Sequence, residues 1–158
     1  MPVNIDQSDV DDLLPPAHVT LDEPPAEKEA AIEHLLDLLV EAGRVDDRER
    51  AFDALLTREE ETTTGVGKGI GIPHAQTDAV SRPSVAFARS DEGVDFGSMD
   101  GEPATLLFMI LVPEEGAEEH LGILSSLSRA LMHDEVREDL HAAGDAADVR
   151  ETIKEAIA

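Results

Sequence analysis

Ala104-Thr105-Leu106-Leu107-Phe108-Met109-Ile110-Leu111-Val112 is apolar on both of the faces a strand would present. A half-exposed strand alternates apolar and polar side chains, so this run predicts a strand covered on both sides, at the centre of its sheet. It falls far short of the roughly 20 apolar residues that cross a bilayer. The N-terminus carries no basic signal-peptide region, so a cytoplasmic protein without direct membrane insertion is expected.

Working outward, Ser84–Arg89 and Ile70–Ile72 read as further strands, and Val94–Phe96 as a short edge strand. Helical spacing brackets them. Pro25 suits a first helical turn, Ala31, Leu35, Leu38, Leu39 and Ala42 share one face, and Gly43 ends the helix. Asp46–Glu49 reads as the cap of a second helix with Ala51, Phe52, Leu55 and Leu56 inward and Arg58 in its last turn. From Glu118 a third carries Leu124, Leu127 and Leu131; a fourth starts at Asp134 and closes at Gly144; Asp145 or Asp148 opens a last one with Val149, Ile153 and Ile157. Helices at both ends with strands between them predict an α/β fold, a mixed sheet sandwiched between helices in three layers. At 158 residues one domain is expected, residues 13–158, after an acidic, flexible arm over residues 1–12.

Composition narrows the chemistry. There is no cysteine, so disulfides, thiolate metal sites and thiol nucleophiles are excluded. Thirty-six acidic against twelve basic side chains give a net charge of −24, which argues against nucleic acid or an anionic membrane as partner. Dense aliphatic periodicity argues against disorder, so the charge reads as a coat on a folded core. With three lysines beside nine arginines, the coat resembles that of proteins from extreme halophiles, whose self-repulsion is screened where the Debye length is ~3 Å. A merely acidic mesophilic protein is the alternative.

The Gly-rich stretch before Pro73 does not bind nucleotides. A P-loop needs Ser or Thr after Gly-Lys, where Gly69 follows Gly67-Lys68, and an earlier Gly where Thr62 stands. The dinucleotide fingerprint requires a small residue where Ile70 stands, and a preceding strand that is lacking.

What remains is Arg58-Glu59-Glu60-Glu61-Thr62-Thr63-Thr64-Gly65-Val66-Gly67-Lys68-Gly69-Ile70-Gly71-Ile72-Pro73-His74-Ala75. This run resembles the active-site signature of the fructose/mannitol (type-2) class of enzyme IIA, the phosphocarrier of the phosphoenolpyruvate-dependent sugar phosphotransferase system. Glu119-His120-Leu121 and the Leu124, Leu127, Leu131 helix resemble the surroundings of the family's second histidine, so the likeness spans roughly residues 11–158. Gly71 stands where the family usually has Ala, and the Glu59–Glu61 triplet is heavier than usual. The resemblance implies that His74 accepts a phosphoryl group from the phosphocarrier protein HPr and passes it to an enzyme IIB attached to a IIC permease, with fructose as the sugar and no cofactor. It makes His120 the hydrogen-bonding partner that is not itself phosphorylated. A regulatory, nitrogen-type enzyme IIA controlling partner proteins is the alternative.

The residues suit this chemistry on their own terms. Neutral imidazole is a good nucleophile near pH 7. Phosphoryl transfer asks mainly for positioning and charge stabilisation, which the planar guanidinium of Arg58 supplies to two phosphoryl oxygens. Amides of the Thr64–Gly67 loop, notably at Gly65 and Gly67, and the Thr64 hydroxyl are candidate further donors. Pro73 holds Ile72 extended and so directs His74 at the strand exit. His120, near a helix start, is placed where anions are favoured. A metal site built from His74, His120 and carboxylates is the rival chemistry, and none is expected. His18, His34, His133 and His141 read as solvent-facing.

Overall fold

The computed structural model describes residues 7–61, 64–98, 100–115 and 117–157, with the side chains of residues 7–9 and 117–121 outside that description. In chain order they form α1 (Gln7–Leu13), a 3-10 turn (Pro16–His18), β1 (Val19–Thr20), α2 (Lys28–Glu41), α3 (Arg48–Glu61), β2 (Gly65–Gly67), β3 (Ile70–Gly71), β4 (His74–Gln76), β5 (Ser84–Val94), β6 (Ala104–Val112), α4 (Ala117–Leu131), α5 (Asp134–Ala142) and α6 (Ala146–Ile157).

The strands make one mixed sheet in the order β1-β5-β6-β3-β2. As its composition predicts, β6 is central. It pairs antiparallel with β5 on one side and parallel on the other with β3 and then β4, which takes His74 opposite Ile110. Its alternate residues serve two cores. Leu107, Met109 and Leu111 face α2 and α3 with Ile32, Leu35, Leu36, Leu39, Ala51 and Leu55; Leu106, Phe108, Ile110 and Val112 face α1 and α4–α6 with Val10, Ile123, Leu127, Leu131, Leu140, Val149 and Ile153. These are the three layers expected. Phe87 of β5 packs against Phe108 in a tilted arrangement with ring centroids 4.9 Å apart.

Local signals act as read at several ends. Asp47 caps α3 through its Oδ1, which accepts from Arg50 N at 3.1 Å, and Asp145 Oδ1 does the same for Asp148 N at 2.9 Å on α6. Gly43 takes the left-handed conformation (φ 78°) that lets Arg44 N reach back to Leu39 O at 2.9 Å and close α2. Among the described residues no helix is long and apolar enough to cross a membrane.

Three local readings give way. The loose arm expected over residues 1–12 is helical from Gln7, because Val10, Leu13 and Leu14 fall on one face and are buried. Arg150 and Lys154 of α6 fasten that helix through Asp11, both at 2.6 Å, and residues 1–6 lie outside the description. The edge strand expected at Val94–Phe96 is instead the end of β5, where Val94 pairs with Ala104 beyond an irregularity. His18 is not solvent-facing: it is fully buried, with Nδ1 3.1 Å from Leu13 O and 3.0 Å from Val85 O. His34 is half-buried on α2, whereas His133 and His141 are exposed as expected.

Candidate active site

The stretch read as a Gly-rich loop is a β-hairpin. Gly65 pairs with Gly71 and Gly67 with Ile70, and the turn between them runs through positive φ at Gly67 (86°), Lys68 (57°) and Gly69 (78°). Only glycine adopts such angles without strain, and Lys68 is steadied by its amide donating to Asp100 Oδ2 at 2.9 Å. Gly65 serves a different need. A Cβ there would fall 2.3 Å from Ser98 Oγ and 2.9 Å from Phe96 Cβ.

His74 does not merely leave β3; it opens β4. Ile110 N donates to Pro73 O at 3.0 Å and Thr77 N to Val112 O at 2.9 Å, so the sheet centre grips the chain on both sides of the ring. The imidazole is buried, 7% exposed, and its Nδ1 lies 2.6 Å from Ile72 O. A carbonyl oxygen can only accept, so Nδ1 carries the proton and the in-plane lone pair belongs to Nε2. Burial holds the ring below the ordinary imidazole range, and the Arg58 charge pushes the same way; the Ile72 hydrogen bond and Glu59 oppose them. A ring held neutral in this tautomer has its lone pair at Nε2.

Arg58 stands in the last turn of α3, which packs on β4. It contacts Glu61 Oε2 at 3.7 Å and lines, with Ala54, Thr57, Glu61 and the two residues that follow His74, Ala75 and Gln76, a shallow depression of about 360 Å³. The Arg58 charge lies close enough to His74 to act on its ring. The backbone of His120 is in the first turn of α4, and its side chain lies outside the described residues.

The loop donors differ from expectation. Thr64 gives its hydroxyl to Glu59 Oε1 at 2.5 Å and its amide to Glu59 Oε2 at 2.9 Å, so both donors are already engaged by Glu59. Gly67 pairs with Ile70 at the far end of β3, four residues or about 13 Å of strand before His74. Thr64 and Gly65 stand beside the strand that leads to His74. Glu59 was read from sequence within the Arg58–Ala75 signature, in an acidic triplet heavier than usual; residue type alone does not reveal that its carboxylate is buried.

Known proteins resemble this chain in sequence and in fold. The profile described as "Phosphoenolpyruvate-dependent sugar phosphotransferase system, EIIA 2" matches residues 12–156. A Haloferax volcanii protein described as "PTS system fructose-specific EIIA component" is 61% identical over 153 residues, 97% of this chain and 99% of that one. Among solved structures, nitrogen regulatory protein IIA-Ntr from Neisseria meningitidis aligns at TM-score 0.81 with 33% identity, over 91% of this chain and 98% of that one. The Escherichia coli complex of enzyme IIA mannitol with phosphorylated enzyme IIB mannitol aligns at TM-score 0.78 with 30% identity, over 90% of this chain and 97% of the other. With the match running from α1 to α6 and the His74 signature in place, the chain belongs to the type-2 enzyme IIA family of the phosphoenolpyruvate-dependent sugar phosphotransferase system.

Proposed function

We propose that this chain is a cytoplasmic phosphocarrier that takes a phosphoryl group from phospho-HPr onto His74 Nε2 and hands it to an enzyme IIB serving a IIC permease for fructose. The carrying observation is the 2.6 Å bond from Nδ1 to Ile72 O, which leaves Nε2 as the nucleophile on a neutral, buried ring. As the Nε2–P bond forms, the N–P bond to the donor imidazole breaks. No proton leaves His74, and the positive charge that develops on its ring is shared with the Ile72 carbonyl. Arg58 balances the charge on the transferring oxygens. His120, at the start of α4, hydrogen-bonds the phosphoryl group without bonding to phosphorus.

Transport is favoured over regulation because the fructose-specific Haloferax volcanii protein is 61% identical, against 33% for the nitrogen regulatory structure. The IIB partner is supported by the mannitol complex, in which a protein of this fold is bound to a phosphorylated IIB. Incubation with labelled phosphoenolpyruvate, enzyme I and HPr of the same organism, then with candidate IIB proteins, tests the scheme. His74→Gln should take no label, His120→Gln should be labelled but transfer poorly to IIB, and Arg58→Ala should slow both half-reactions. Phosphopeptide mapping in alkali, where phosphohistidine survives, locates the group. A label on His120 in the wild-type protein, or full labelling of His74→Gln, overturns the assignment.

A further inference from the structure

Of the three glutamates in the Glu59–Glu61 triplet, Glu59 faces inward with its side chain 7% exposed. Its place is unfavourable by itself. It sits in the last turn of α3, where the helix dipole disfavours negative charge, and a buried carboxylate is costly unless it is paired and hydrogen-bonded. Lys28 Nζ supplies the charge at 2.6 Å, and Thr64 supplies two donors. Lys28 is anchored in turn by Phe96 O at 3.2 Å and lies 5.3 Å from the Phe96 ring centroid.

The contacts continue beyond Thr64. Its carbonyl oxygen accepts from Ile72 N at 3.0 Å, and Ile72 O accepts from His74 Nδ1 at 2.6 Å. One hydrogen-bonded chain therefore runs Lys28, Glu59, Thr64, Ile72, His74, from the start of α2 through the end of α3 to the reacting ring. From this continuity we propose that Glu59 is a positioning residue for His74: its carboxylate fixes Thr64, Thr64 fixes Ile72, and the Ile72 carbonyl sets the tautomer and aim of the imidazole.

The proposal rests on the reading of His74 as the phosphoryl acceptor, yet the ring can be observed without any transfer. Two-dimensional nitrogen NMR of the unphosphorylated protein reports which ring nitrogen carries the proton, and steady-state labelling by phospho-HPr reports kcat and KM separately. Wild-type protein should show the Nδ1–H form. In Glu59→Ala the ring signals should shift toward a mixture of tautomers, and kcat should fall ~10- to 100-fold with KM for phospho-HPr within about 3-fold. Glu59→Gln keeps an oxygen for the Thr64 amide and should recover most of the tautomer preference.

Should Glu59→Ala fail to fold, Thr64→Val cuts the hydroxyl link alone and should show the same two changes at about 3- to 10-fold in kcat. A folded Glu59→Ala with the wild-type ring spectrum overturns the proposal. So does an unchanged kcat with a raised KM, which would make Glu59 a docking contact. Failure of the wild-type protein to take label would instead remove the phosphocarrier reading, while the NMR experiment would still decide the positioning role.

Discussion

Transferring the folded chain from dilute to molar salt should stabilise it by several kcal/mol. It exposes 7684 Å² and carries −24. A sphere of that area has a radius of about 25 Å, and Coulomb's law in water gives it a charging energy of roughly 48 kcal/mol without salt. Screening leaves about 14 kcal/mol at 0.1 M and about 5 kcal/mol at 1 M. The same charge on the unfolded chain, with a radius near 42 Å, amounts to about 5.5 and about 2 kcal/mol. Repulsion therefore opposes folding by about 8 kcal/mol at 0.1 M and about 3 kcal/mol at 1 M, a gain of about 5 kcal/mol beside typical total stabilities of 5–15 kcal/mol. Exposed ion pairs such as Arg50–Asp78, 2.7 Å apart, weaken over the same range and trim that figure. The chain has no Trp or Tyr, so urea unfolding should be followed by far-UV circular dichroism across 0.1–2 M potassium chloride. A gain below about 1 kcal/mol between 0.1 and 1 M would refute the reasoning. A gain that follows anion identity at fixed ionic strength would reassign it to solute exclusion.

Gly65→Ala should cost about 1–3 kcal/mol in urea unfolding, since its Cβ would lie 2.3 Å from Ser98 Oγ; it should also slow labelling of His74, because Thr64 is adjacent. A neutral substitution there would mean Ser98 moves aside freely. Leu107→Ala, fully buried on β6, should cost about 2–5 kcal/mol by the same measurement. Burial holds His18 below the ordinary imidazole range, so the unfolded chain binds more protons and stability should fall as pH drops from about 6.5 toward the folded value. His18→Gln should flatten part of that acid limb; an unchanged slope would assign it to other groups.

The layers and the family signature around His74 were legible because each rests on local rules. The run from Ala104 to Val112 has no polar face and can only be central, and the Arg58–Ala75 signature carries its residues at fixed spacing along one chain segment. The first helix was missed although Val10, Leu13 and Leu14 stand at helical spacing, because three apolar residues among acids bury nothing until α6 is there to receive them. The Gly-rich hairpin was read as a loop because glycine lowers strand propensity, and its pairing with β3 comes from tertiary contact with β6.

Glu59 and His18 mark the boundary most clearly. Residue type predicts exposure for both, since burying a carboxylate or an imidazole is unfavourable in isolation. Lys28 lies 31 residues from Glu59 and Val85 lies 67 from His18, so a local window holds only part of each set of partners, Thr64 for Glu59 and Leu13 for His18. Sequence patterning established most of the helices, the central strands and the family signature around His74, because periodicity and motif spacing act over a few residues. The aim of that histidine, its tautomer and the inward turn of Glu59 belong to the folded chain, because they depend on hydrogen bonds between segments that meet only when the sheet closes.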